Sequence, residues 1–175
     1  MSDVLDKIES RRSIRKYKDE MVPRKVLDKI IRAGLYAASG KNLQDWIILC
    51  ITNRDMRNRI SEMNRQIGGY AEGVDPFYGA PVILIVLGDK SCPNHVYDGS
   101  LVMGNLMLAA HDLGVGSCWI HRAKQEFESA EGLQILSELG ITGEWEGIGH
   151  CALGYVDGDY PEPHSRKEGR VFYIE

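Results

Sequence analysis

The chain has 175 residues, a formal net charge of −4, and 43% hydrophobic and 26% charged residues. That is the size of one ordinary domain, residues 1–175, with a sizeable core, and the acidic balance argues against general affinity for nucleic acid. Cys50, Cys92, Cys118 and Cys151 are widely spaced and mostly in apolar runs, which fits reduced thiols of a cytoplasmic protein; no run reaches the ~18 apolar residues of a membrane span, and the N-terminus lacks the apolar core of a signal peptide.

Val4, Leu5 and Ile8 form a short helical stripe that stops at "RRSIRKY", Arg11–Tyr17. Pro23 suits the opening of a second helix, carried by Val26, Leu27, Ile30, Ile31 and Leu35 and ending near Gly40. "WIILCIT", Trp46–Thr52, is an apolar run of strand length. A charged helix is expected over Asp55–Ile67, then a Gly-rich loop over Gly68–Tyr78. "PVILIVLGD", Pro81–Asp89, is the clearest buried strand. Asp98–Leu113 reads as a helix apolar over most of its circumference, hence buried nearly all round or shared with a second subunit. Val115–Ile120 is another strand, Ser129–Leu139 a helix, Gly147–Val156 a fourth strand and "RVFYI", Arg170–Ile174, a fifth. Helices and strands mix without strict alternation, so the expected class is α+β, a central sheet with helices packed on it.

Three arginines within five positions, around Ser13, invite two readings. A guanidinium fork matches phosphate oxygens bidentately, with a hydroxyl as an added donor. A solvated helix end, where cations favour the C-terminal dipole, accounts for the same residues. "AASGKNLQDW", Ala37–Trp46, likewise reads as ordinary turn chemistry or as amides suited to the edge of a heteroaromatic ring. Cys92-x-x-His95 and Cys118-x-x-His121 are weak zinc half-sites without a Cys-x₂-Cys partner, so no metal is expected. His111 and His150 read as packed or surface residues. No G-x-G-x-x-G follows a strand, so a dinucleotide fold is not expected.

Taken together, these segments resemble the nitroreductase family of FMN-dependent oxidoreductases. "RRSIRKY" is similar to the family's R-R-S-x-R-x-F/Y motif and "ASGKNLQDW" to its P-S-x-x-N-x-Q-P-W turn, with Ala38 and Asp45 where the family has prolines. "DGSLVMGNLMLAAHDLGVGSCWI" resembles the central helix and following strand, and "GIGHCALGYVDGDYPEPHSRKEGRV" the C-terminal segment.

The resemblance implies a dimeric α+β fold with a central mixed or antiparallel sheet flanked by helices. It implies hydride transfer from NADH or NADPH through FMN to a small electron-poor acceptor such as a nitroaromatic or quinone, by a ping-pong sequence. The alternatives are another flavin reaction on this fold, such as dehalogenation or flavin breakdown, or a non-redox phosphate- or nucleotide-binding module. By the same resemblance, Arg11, Arg12, Ser13 and Arg15 hold the phosphate and ribityl chain, with His164 and Arg166 closing from the C-terminal side. Ser39, Asn42 and Gln44 approach the isoalloxazine ring across a homodimer interface. Asn64 is the candidate for the pyrimidine edge, Trp119 lies against a flavin face, and backbone N–H groups near His121 and Arg122 point at N5 and O4. No acid or base side chain is required, because flavin N5 carries the chemistry.

Overall fold

The computed structural model describes residues 3–175. Helix α1 spans Asp3–Ser10 and buries none of its residues. Helix α2, Arg24–Leu35, starts directly after Pro23 and turns Leu27 and Ile30 inward. Strand β1 is Trp46–Ile51, helix α3 Arg54–Ile67 and strand β2 Val82–Asp89. Asn53 caps α3, its Oδ1 accepting from the Met56 N–H at 2.9 Å. Helix α4 runs His95–Asp112, strand β3 Gly116–Ile120, helices α5 and α6 Ala123–Glu128 and Ala130–Glu138, and strand β4 Trp145–Gly154.

The four strands lie in the order β1-β2-β4-β3, every neighbouring pair antiparallel. This is the α+β architecture the sequence implies. The run Val82–Leu87 is fully buried because both faces of β2 are covered. Alternate side chains point to opposite faces. Ile83, Ile85 and Leu87 meet Ile60, Met63, Phe127 and Ile135 of α3, α5 and α6, while Val82, Leu84 and Val86 meet Leu27, Ile30, Met103 and Leu106 of α2 and α4. Each such Leu or Ile contributes roughly 1.5–3 kcal/mol of burial.

Close backbone approach fixes where the site-bearing segments lie. A Cβ on Gly147 would stand 2.1 Å from the Ala123 carbonyl oxygen, so only glycine lets α5 dock against β4. A Cβ on Gly34 would meet Leu106 at 2.6 Å, which draws α2 onto α4.

Four expectations change. Helix α4 begins at His95, three residues before Asp98, and α5 is an additional helix. The anticipated fifth strand, Arg170–Ile174, does not form: Phe172 is 85% and Ile174 99% exposed. A strand needs an edge for its N–H and C=O groups, and neither edge strand of this chain, β1 or β3, pairs with the tail. Helix α4 buries Val102, Met103, Leu106 and Ala110 but leaves Leu101 half exposed. Its apolar circumference is therefore only partly covered within one chain.

Candidate functional site

The segment after α1 is laid along the end of the sheet. Ser13 bridges Ser117, and the Ile14 N–H donates to the Ser117 carbonyl at 2.9 Å. Ile14 and Tyr17 are buried, and Tyr17 Oη donates to the Ile14 carbonyl at 2.8 Å. These anchors hold the neighbouring arginines in place. Arg11, Arg12, Ser13 and Arg15 line a cavity of about 310 Å³ whose other wall is the C-terminal tail, through Pro161, Glu162, His164 and Arg166. The six cluster and tail residues named from the sequence thus meet around one space.

Arg12 Nη1 donates to the Glu9 and Arg11 carbonyls at 2.7 and 2.8 Å. Arg11 Nη1, Arg12 Nε and Ser117 Oγ are buried without a hydrogen-bond partner. Unpaired buried donors are rare because leaving them so is costly. Donors of this kind beside a cationic cavity fit an anionic ligand group. Glu162 is the one carboxylate in the lining.

The tail is held by Tyr160. Its Oη accepts from the Arg12 N–H at 3.0 Å and lies 3.1 Å from His111 Nδ1, while His111 Nε2 lies 2.8 Å from Ser10 Oγ. Burial, with Lys7 and Arg11 close by, holds the His111 imidazole below the usual histidine range.

A second cavity, of about 300 Å³, is lined by Trp119, His121 and Arg122 with Val96, Ser100 and Ile148 among its other walls. Trp119 lies across Gly149, where a Cβ would stand 2.5 Å from its Nε1. Arg122 adopts a left-handed φ of 81°, and its guanidinium carbon stands 5.0 Å from the Tyr70 ring centroid. Asn64 lies beneath this turn and is fully buried. Its Nδ2 donates to the His121 carbonyl at 2.8 Å and to Glu126 Oε1 at 2.5 Å, and its Oδ1 has no partner. Glu126 Oε2 meets His150 Nε2 at 2.8 Å, with both residues wholly buried. Asn64 therefore braces the turn from inside rather than presenting its amide at the surface.

Ser39, Asn42 and Gln44 lie in the turn between α2 and β1. Three non-glycine residues there, Lys41, Asn42 and Gln44, have φ of 53°, 56° and 52°, a strained conformation for L side chains. Three side-chain bonds hold it: the Gln44 N–H donates to Ser39 Oγ at 3.1 Å, Gln44 Nε2 to Asn42 Oδ1 at 3.2 Å, and the Gly40 N–H to Asp98 Oδ2 at 2.9 Å. Asp45 behind it is buried with neither carboxylate oxygen paired. Burial raises its pKa, with Asp98 adding to the effect.

Burial also pushes the thiols of Cys118 and Cys151 up, which keeps them protonated and unreactive. His95 Nδ1 is engaged by the Cys92 carbonyl at 2.7 Å, and no metal-holding group of three His, Cys, Asp or Glu occurs among the described residues. Asp98, His111, Glu126, His150 and Tyr160 carry no site signal in the sequence: each becomes visible only through a partner from another element.

The Nitroreductase family model matches residues 8–155. A relative from Methanothermobacter thermautotrophicus, provisionally named an NADH dehydrogenase/NAD(P)H nitroreductase, is 38% identical over 121 residues, 67% of this chain but 60% of that protein's length. A relative from Archaeoglobus fulgidus with the same name is 30% identical over 161 residues, covering 89% of this chain and 86% of its own. The crystal structure of a nitroreductase with bound FMN from Bacteroides fragilis superimposes with a TM-score of 0.89 at 28% identity, over 100% of both chains.

Proposed function

Because the chain belongs to the nitroreductase family, we propose that it is an FMN-dependent oxidoreductase that takes electrons from NADH or NADPH and reduces a small electron-poor compound, such as a nitroaromatic or a quinone. The observation that carries this reading is the cavity shared by the arginine segment and the tail, with unpaired donors on Arg11 and Arg12. Its residues fit a phosphate monoester: forked cations from two chain segments and a neutral hydroxyl from Ser13.

FMN held there would supply the two-electron chemistry of a ping-pong sequence between NADH or NADPH and the second substrate. The chain's own residues bind, orient and exclude water. Arg11, Arg12, Arg15, His164 and Arg166 hold the phosphate end. Trp119 covers one ring face. The peptide N–H groups of His121 and Arg122 would serve as donors to the ring edge, where added electron density would be stabilised as in an oxyanion hole. No side chain is assigned as an obligatory acid or base.

The ring side of the site is completed by Ser39, Asn42 and Gln44 of the partner subunit in a homodimer. Four features support that assembly: the half-exposed Leu101 face of α4, the exposed Val171–Ile174 tail, the free outer edge of β1, and the apolar groove of about 560 Å³ beside that edge, lined by Ile48, Met56, Ile135 and Leu139 among others. Among the described residues, no helix is long and apolar enough to cross a membrane.

The test is direct. The protein purifies yellow with one FMN per chain, NADH bleaches the flavin band under nitrogen, and a nitroaromatic or quinone restores it. A colourless protein that takes up no FMN in a fluorescence titration removes the reading. Bleaching without recovery points to another reaction on the same fold.

A further inference from the structure

Three wholly buried polar side chains from three elements meet under the β3–α5 turn. Asn64 comes from α3, Glu126 from α5 and His150 from β4. Such groups are costly to bury and keep their place only where something holds or needs them. Here they are joined in a row. Asn64 Nδ2 donates to Glu126 Oε1 at 2.5 Å, and Glu126 Oε2 meets His150 Nε2 at 2.8 Å. His150 Nδ1 lies 3.3 Å from the Ile120 carbonyl, which only accepts, so Nδ1 carries a proton. His150 Nε2 and Glu126 Oε2, 2.8 Å apart, share one hydrogen bond. Phe77 closes the row, edge-on to the His150 ring at 5.1 Å.

The two ends of this row grip consecutive peptide groups. His150 takes the Ile120 carbonyl, and Asn64 Nδ2 takes the His121 carbonyl at 2.8 Å. A trans peptide is planar, with its C=O and N–H on opposite sides. Drawing the Ile120 carbonyl inward turns the His121 N–H outward. Drawing the His121 carbonyl inward does the same to the Arg122 N–H. The second of these peptides leads into the left-handed Arg122, φ 81°, a conformation that needs holding.

We propose that Asn64, Glu126 and His150 form a buried positioning chain that fixes the His121 and Arg122 N–H groups outward, toward the N5 and O4 edge of the flavin, and thereby sets how strongly the site favours the reduced cofactor. None of the three side chains touches the ligand; they act through two peptide groups. The inference rests on the FMN reading above and names the residues that make its ring end work.

The experiment uses the full chain loaded with FMN and measures the midpoint potential of the bound flavin. Asn64→Leu keeps the shape and removes both donated bonds; Glu126→Leu removes the central acceptor. Neither touches the phosphate end, so both variants still take up FMN. Each loses about tenfold in preference for reduced over oxidised flavin, a fall of about 30 mV for a two-electron couple. Glu126→Gln retains the wild-type potential, because its amide oxygen still accepts from Asn64 and its amide nitrogen donates to His150 Nε2. Unchanged potentials in Asn64→Leu and Glu126→Leu, with FMN bound, overturn the positioning chain and leave the oxidoreductase reading intact. A wild-type protein that binds no FMN fails the underlying reading instead, and this inference falls with it. Where a variant does not fold, amide hydrogen exchange on the wild type decides: the His121 and Arg122 amides exchange at least tenfold more slowly with FMN bound, and equal rates with and without FMN overturn the proposal.

Discussion

Tyr160 stacks its ring on that of His111 at 5.8 Å between centroids, with its hydroxyl 3.1 Å from Nδ1. The same hydroxyl accepts from the Arg12 N–H. One tyrosine therefore ties the exposed tail to both the arginine segment and the end of α4.

Tyr160→Phe loses that tie while keeping the ring. A neutral hydrogen bond contributes about 1 kcal/mol, so FMN binding weakens roughly fivefold, read by titration calorimetry. The effect depends on pH. His111 is held below its ordinary pKa by burial and nearby cations, so the folded chain binds fewer protons there than the unfolded one. The clasp's contribution is complete above the ordinary histidine range, about pH 6.5, and is lost as pH falls below it. Wild-type FMN retention accordingly drops between pH 7 and 5, and Tyr160→Phe flattens that drop. A variant as acid-sensitive as the wild type would remove His111 from the argument.

Arg11→Met separates binding from stability. The buried Nη1 of Arg11 has no hydrogen-bond partner within the chain, and an unsatisfied buried donor costs about 1–3 kcal/mol. The FMN-free variant melts at a higher temperature than the wild type, yet binds FMN more weakly by about 1.5–3 kcal/mol, the range for a bond to a charged group. Differential scanning fluorimetry with and without FMN shows both changes; an unchanged FMN affinity would leave Arg11 without a role at the phosphate.

Asp45→Asn stabilises the chain at neutral pH. Burial raises the native Asp45 pKa, so the folded state holds its proton more tightly than the unfolded state does. Stability is greatest below the ordinary aspartate range, about pH 4, and declines as pH rises through the raised native value. Asparagine carries no such charge. The melting-temperature gap between variant and wild type widens from pH 4 to 7; a constant gap would mean that Asp45 does not titrate as its burial requires.

Deleting residues 170–175 tests the assembly. The side chains of this tail are exposed in one chain, so their loss leaves the monomer's core intact. Sedimentation equilibrium shows a weaker dimer, and FMN retention falls with it, because a ligand held by the dimer stabilises the dimer by mass action. Full retention in a truncated monomer would place the whole site within one chain.

The parts of the fold that local pattern controls were legible in the sequence. The unbroken apolar run of β2 corresponds to burial on both faces, whereas the wide apolar surface of α4 is covered on one side only within the chain. The arginine cluster and the residues at 164 and 166 were legible as a pair only through family resemblance, and they line one cavity. Glu126 was not legible. In "AKQEFES" it looks like an exposed helical glutamate; its burial depends on α5 docking over Gly147, from another part of the chain. The fifth strand was read from composition alone, and strand-forming residues without an edge remain extended chain.

The strand order carries a consequence for synthesis. Strand β4 lies between β2 and β3, yet it is the last strand to leave the ribosome. Until Trp145 onward has emerged, β3 has no neighbour to pair with and β2 has only β1. The nascent chain thus displays the apolar faces of an unfinished sheet until β4 emerges, and the wall that the tail provides is made later still. Closing of the sheet therefore waits on β4, and the apolar faces of β2 stay uncovered over the stretch of synthesis between β2 and β4.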